Sequence, residues 1–196
     1  MAIKVEERFD VQAPVQRVWE YLIDPARVAE CLPGAELLES QDERTFLGAV
    51  KVKVGPISMS YKGVVKFTEV DEQAHEVRIV GEGRESGGGG SVKVTMLSKV
   101  TALPNDSAEV VVQGEVDLVG KIVQFGRGMI EEVSRQLFRQ FATCVKQHLE
   151  VVNNAQLAQE TPKAETKPVS AAPLALRALW AVVARFFRRL LGKQTG

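Results

Sequence analysis

The longest periodic stretch of the chain runs from Lys121 to about Val152. There Ile122, Phe125, Met129, Val133, Leu137, Phe138, Phe141, Val145 and Leu149 recur at three- and four-residue steps. Arg135, Arg139, Gln140 and Lys146 fill positions between them, so the pattern predicts one amphipathic helix with a single buried face. At about 1.5 Å per residue such a helix reaches roughly 45 Å and needs a broad surface to lie on.

The upstream sequence reads as that surface. Residues 2–11 alternate and predict a first strand; Ala13-Pro14 then opens a helix through Val15, Val18, Trp19 and Leu22, since proline fits a first helical turn. Asp24-Pro25 restarts the chain as a second short helix, with Asp24 as N-cap, Val28, Cys31 and Leu32 on its buried side, and Pro33-Gly34 as its stop. From Ala35 to Asp117 the period changes to two. Phe46, Val50, Val52 and Val54 alternate with Lys51 and Lys53, and Met59, Tyr61, Val65 and Phe67 alternate with Ser58, Ser60, Lys62 and Lys66. Val77 and Ile79, then Val92 to Val100, then Val110 to Val116 continue the pattern. Short connections between the runs favour an antiparallel meander with one apolar and one wet face.

Gly48, Gly63, Gly81, Gly83 and Gly114 fall on the apolar phase. Two readings follow: the glycines permit strong curvature or close helix approach, or they leave an apolar cavity between sheet and helix. The cavity reading names Phe46, Met59, Tyr61, Gly63, Phe67, Gly81, Met96 and Gly114 on the sheet and Phe125, Met129 and Val133 on the long helix as its lining.

Composition changes the picture little, with 45% hydrophobic and 26% charged residues, but the distribution of charge matters. Residues 1–160 carry 18 Lys and Arg against 24 Asp and Glu, a net of −6, whereas residues 161–196 carry 7 against 1, a net of +6. The acidic body argues against a nucleic-acid partner, and the basic end must be read separately. The charged, alternating N-terminal stretch reads neither as a signal peptide nor as a spanning helix and predicts a cytoplasmic protein.

Candidate chemistry is sparse. Cys31 and Cys144 stand far apart in apolar helical surroundings, with no Cys or His recognised at ligand spacing, and are expected as buried free thiols rather than as a disulfide or a metal site. His75 and His148 have no recognisable nucleophilic partner, and Glu82, Arg84 and Glu85 read as a solvated charged loop, so no catalytic residue and no metal are expected. The glycine-rich run Gly81–Gly90 lies between two alternating segments and offers no helix N-terminus to a pyrophosphate; it predicts a flexible hairpin.

Residues 153–172 are polar, without apolar period, and read as a linker. Residues 173–193 form an amphipathic pattern in which Arg177, Arg185, Arg188, Arg189 and Lys193 share one arc and Leu176, Leu179, Trp180, Val183, Phe186, Phe187, Leu190 and Leu191 the other. Its arginines favour lying in a membrane surface over crossing the bilayer, with a partner's groove or the chain's own domain as other resting places.

The order of elements resembles the helix-grip fold of the lipid-transfer and START-like superfamily. The stretches WEYLIDP (residues 19–25), AECLPGAE (29–36), VKVGPISMSYKG (52–63) and GEGRESGGGGSVKV (81–94) are similar to the carbon monoxide dehydrogenase G-subunit family over residues 1 to about 150. The resemblance implies an α+β helix-grip domain over residues 1–152 and an accessory role beside a molybdenum carbon monoxide dehydrogenase, or a related hydroxylase, at the cytoplasmic face of the membrane. Joined to the apolar cavity, it implies a bound apolar molecule, an isoprenoid quinone (menaquinone or ubiquinone) accepting electrons, and no covalent cofactor. The Leu32-Pro33-Gly34 turn and Gly87, Gly88 and Gly89 are the expected contacts with the dehydrogenase. A polyketide cyclase-like enzyme of the same superfamily and a structural anchor with a filled core are the rival readings.

Overall fold

In a computed structural model, which describes the backbone of residues 1–160 and side chains through residue 150, the alternating stretches become seven strands. They are β1 (Ala2–Val11), β2 (Ala35–Ser40), β3 (Thr45–Val54), β4 (Ile57–Asp71), β5 (Glu76–Glu85), β6 (Gly90–Leu103) and β7 (Ser107–Gly120). All pair antiparallel in one curved sheet of order β1-β7-β6-β5-β4-β3-β2. The strands from β2 to β7 are a meander, and β1 returns beside β7, with Val5 opposite Gly114 and Phe9 opposite Val110. Bulges between Leu37 and Glu39 and between Phe67 and Glu69 shift the register locally and sharpen the bend.

Two short helices join β1 to β2: α1 (Val15–Leu22) and α2 (Pro25–Cys31). The Asp24 carboxylate accepts the Ala26 N–H at 3.0 Å and the Arg27 N–H at 3.4 Å, which satisfies two donors that the first turn of α2 would otherwise leave open. The stop at Pro33-Gly34 also has a physical cause. Gly34 adopts a left-handed φ of 77°, and a Cβ there would run into the Lys51 carbonyl oxygen.

The predicted long helix is divided. Lys121–Phe125 form a 3-10 turn, Gly126 breaks it with a φ of 77°, and α3 starts at Arg127 and runs to Glu160, into the stretch whose composition reads as linker. Ile130, Ala142, Val145 and Leu149 form its most buried positions. Residues 161–196, including the predicted amphipathic segment, lie outside the described residues.

Side chains of α3 join two separate clusters on the inner face of the sheet. In the first, Phe138, Phe141, Val145 and Leu149 meet Phe9 and Val11 of β1, Trp19 and Tyr21 of α1, and Val77, Val100 and Val110 of the sheet. Phe9 is gripped edge-on by Phe138 and Phe141, with ring centroids 5.7 and 6.2 Å away. In the second, Ile130 and Val133 meet Ile3, Val54, Met59, Tyr61, Leu118 and Ile122.

The expectation of free thiols is corrected. Cys31, the last residue of α2, and Cys144 of α3 are joined by a disulfide across 113 residues of sequence, with Cα atoms 5.3 Å apart. Helix packing brings them together, and no local pattern in the chain carries that information.

Candidate ligand cavity

Between the two filled clusters the inner face is not filled. A cavity of about 340 Å³ lies there, roofed by Leu22 of α1, by Pro25, Val28 and Ala29 of α2 and by Leu32 just after it, with its floor on β2 to β6. Phe46 and Phe67, whose rings meet edge-on at 5.1 Å, line its floor together with Tyr61, Val65, Ile79 and Met96. Val65 is 37% exposed although its phase points inward, so it faces unfilled volume.

The floor owes its emptiness to an alignment that only the register reveals. Gly48 of β3 sits opposite Gly63 of β4, which sits opposite Gly83 of β5, so a strip across three neighbouring strands carries no side chains beneath α2. The glycines are not equivalent. A Cβ on Gly63 would collide with the backbone of Glu82 and Gly83, and one on Gly114 would lie 2.8 Å from the Thr95 carbonyl oxygen. Both therefore serve the close approach of neighbouring strands in a curved sheet. Gly81 differs: a Cβ there would meet Val65 and Val94 at 3.8 Å, an ordinary contact facing open volume.

The structure sorts the expected lining accordingly. Phe46, Tyr61, Gly63, Phe67, Gly81 and Met96 line the cavity, whereas Met59, Gly114, Phe125, Met129 and Val133 do not. Met59 is buried in the second cluster, where Phe125 and Val133 pack as well. Met129 is 47% exposed, because successive helical residues turn by about 100° and Ile130 takes the inward position. Gly114 lies on β7, outside the strands that form the floor, paired with Val5 and Met96. The roof went unforeseen: Val28 and Leu32 read as core positions, and the signal that could have assigned them was the deficit of bulky side chains opposite.

Polar groups around the cavity are few. Burial raises the Tyr61 phenol above its ordinary range, the Glu85 carboxylate pushes it the same way, and its hydroxyl makes only a weak contact with Met59 Sδ at 3.8 Å. It is therefore a protonated donor directed at Met59 in the second cluster, and a ligand oxygen would have to replace that sulfur contact. Glu36 and Glu82 are solvent-exposed, and Glu82 pairs with Lys93 at 3.0 Å.

The two turns named as partner contacts share one end of the sheet. Lys51 N–H donates to Gly34 O at 2.8 Å, Lys51 faces Ser60 across β3 and β4, and Ser86 N–H donates to Ser60 O at 2.8 Å. Leu32-Pro33-Gly34 and the loop holding Gly87, Gly88 and Gly89 thus flank the same strand ends, where Ile57 and Val119 are 47% and 60% exposed. The loop is shorter than expected, since β5 extends to Glu85 and holds Gly81 and Gly83 in the ladder. His75 sits apart in the β4–β5 turn, 3.2 Å from Gln16 Oε1, its ring tilted against Trp19 with centroids 5.7 Å apart. The predicted membrane residues Arg177, Trp180, Arg185, Phe186, Phe187, Arg188, Arg189 and Leu190 lie outside the described residues. No described helix is long and apolar enough to cross a membrane.

Comparison with known proteins agrees with this architecture. The family model of the carbon monoxide dehydrogenase G subunit (CoxG) matches residues 8–150. No curated protein matches the chain. Among solved structures, a conserved protein from Geobacillus kaustophilus superposes with a TM-score of 0.69 at 17% identity, covering 76% of this chain and 95% of that one. The Zhui aromatase/cyclase from Streptomyces sp. R1128 follows with a TM-score of 0.58 at 17% identity, covering 76% and 94%. A START superfamily protein from Mycobacterium smegmatis gives 0.53 at 12% identity, covering 76% and 98%. At these identities the likeness shows a shared START-like fold.

The glycine analysis makes a paired prediction. Gly81→Leu should fill the cavity and weaken binding of the apolar fluorophore 1-anilinonaphthalene-8-sulfonate by about tenfold or more, with an unchanged melting transition. Gly63→Ala should instead lower stability by about 1–3 kcal/mol in urea denaturation, because its Cβ meets backbone that cannot yield. Equal loss of stability in both variants would show that Gly81 also serves packing.

Proposed function

Because this chain belongs to the CoxG family of carbon monoxide dehydrogenase, we propose that it is a non-catalytic accessory protein that carries an isoprenoid quinone for a molybdenum carbon monoxide dehydrogenase or a related hydroxylase. The observation that carries the reading is the cavity of about 340 Å³, walled by aliphatic and aromatic side chains with one protonated phenol at Tyr61. A quinone ring is flat and apolar and presents two carbonyl acceptors, which suits that lining. The volume accommodates a quinone ring and the first isoprene units, and the rest of the tail of menaquinone or ubiquinone would extend past Val65.

An enzyme of the aromatase/cyclase type uses the same fold. Glu36 and Glu82 alternate with the inward Leu37, Gly81 and Gly83, so both carboxylates turn to the outer face of the sheet and the Tyr61 phenol is left as the acid–base group at this cavity. That scarcity favours the carrier. Electrons would reach the quinone from the dehydrogenase, so the cavity must open toward it; the sheet end bearing Leu32-Pro33-Gly34 and Gly87 to Gly89 is the proposed contact. Residues 173–193 would hold the complex on the anionic cytoplasmic face of the membrane, where each nearby cation contributes about 1 kcal/mol and the buried apolar side chains add to it.

Solvent extraction of the purified protein followed by mass spectrometry should return about one isoprenoid quinone per chain, and Tyr61→Phe should weaken quinone binding by roughly two- to tenfold. A protein that neither retains nor binds a quinone would end this reading. Deletion of Gly87, Gly88 and Gly89 should reduce association with the dehydrogenase in light scattering without lowering the melting temperature; unchanged association moves the contact elsewhere. Removal of residues 173–196 should leave a folded domain that still binds quinone but no longer sediments with anionic vesicles. Retained sedimentation would make the segment a helix for a protein partner.

A further inference from the structure

Away from the cavity, the fold gathers three side chains with metal-binding chemistry. His148 follows Cys144 by one helical turn on α3, and its Nδ1 lies 3.5 Å from Cys144 Sγ and 3.6 Å from Cys31 Sγ. The three ligand atoms all fall within 4.8 Å of one another. Sequence alone does not mark this cluster, since the Cys144-to-His148 spacing gains meaning only when Cys31 arrives from α2.

The distances have a specific chemical sense. A tetrahedral cation held about 2.3 Å from sulfur and about 2.0 Å from nitrogen places each sulfur roughly 3.5 Å from the nitrogen. Both sulfur-to-nitrogen separations here are close to that value. The sulfurs themselves would stand roughly 3.8 Å apart in such a site, so the disulfide must first be reduced. Opening that separation moves both sulfurs, so the site requires rotation of the two cysteine side chains about Cα–Cβ, their Cα atoms being 5.3 Å apart.

We propose that Cys31, Cys144 and His148 form a site for one thiophilic d10 cation of the zinc class, available when the Cys31–Cys144 disulfide is reduced. The disulfide takes two electrons and two protons from a dithiol reductant, which is itself oxidised to a disulfide, and the two thiols release those protons as the cation binds. In a reducing compartment the dithiol is the prevailing form. His148 Nδ1–H now donates to the Cys144 carbonyl oxygen at 2.9 Å; ligation requires the neutral tautomer with its proton on Nε2. His148 is exposed and Cys31 buried, so an ion enters from the histidine side and keeps a water as its fourth ligand.

The surroundings support a bound thiolate. The Tyr21 hydroxyl lies 3.3 Å from Cys31 Sγ, within reach to donate to a thiolate there. The Arg27 guanidinium stands over the Tyr21 ring, 5.6 Å from its centroid, and is paired with Asp24 at 3.1 Å. The site also bears on the cavity. Cys31 ends the helix that roofs it, so disulfide and metal are two ways of fastening the same wall to α3, and the metal-free dithiol leaves it unfastened.

The test uses the full chain, reduced with a phosphine that becomes its oxide, desalted under nitrogen and titrated with Co²⁺. The expected result is one Co²⁺ per chain with a thiolate-to-cobalt charge-transfer band, displaced by one equivalent of Zn²⁺. Cys31→Ser and Cys144→Ser should each lose most of that band. His148→Ala changes an exposed side chain; it should fold and form the disulfide in air, yet bind Co²⁺ at least about tenfold more weakly. A reduced wild-type chain without the band, or a His148→Ala variant of unchanged affinity, overturns the proposal. None of these readouts involves quinone, so failure of the carrier reading would leave them standing.

Discussion

The pairing of β1 with β7 governs the inner face. It places the start of the chain at one edge of the sheet while β2 forms the other, so the α1–α2 segment must cross a gap of roughly 29 Å at about 4.8 Å per strand. It crosses over the apolar side because that is where Val18, Trp19, Tyr21 and Leu22 can be buried. The roof of the cavity is thus a consequence of strand order. With another edge for β1, α2 would have nothing to cover.

Filled and unfilled volume divide along the same geometry. Where β1, β6 and β7 face α1 and the later turns of α3, aromatic rings and β-branched side chains close the space. Near the first turns of α3 a second set, built on Ile3, Tyr61 and Ile130, does the same. Between them the strip from Gly48 through Gly63 to Gly83 supplies no side chains, and α3 contributes none to the lining. Two clusters frame the void and share its walls: Leu22 belongs to the first, Phe67, Ile79 and Met96 pack against it, and Tyr61 belongs to the second.

The Cys31–Cys144 link belongs to that frame. α2 has only seven residues, a length that is not stable as a helix in isolation, and it depends on its Asp24 cap and on packing to stay formed. A covalent or metal bond at its last residue holds the roof independently of what fills the cavity below. The link emerges from the approach of two helices.

Much of this protein was legible in its sequence because the deciding forces were local. Alternation in Phe46 to Val54 and in Val92 to Val100 set which face each strand would bury, Asp24-Pro25 marked a capped helix start, and Gly34 marked its stop. What required tertiary structure was everything set by contact between distant segments. A three-to-four-residue period defines a helix face only to within a residue's turn, so Met129 was read as buried where Ile130 is. Five glycines on one phase looked alike until register put Gly63 against the Gly83 backbone and left Gly81 facing open volume. Cys31 and Cys144 looked like isolated thiols until packing across 113 residues joined them beside His148. A residue's propensity is carried by its neighbours in the chain, whereas a void, a disulfide or a ligand set is a relation between segments that no single stretch of sequence contains.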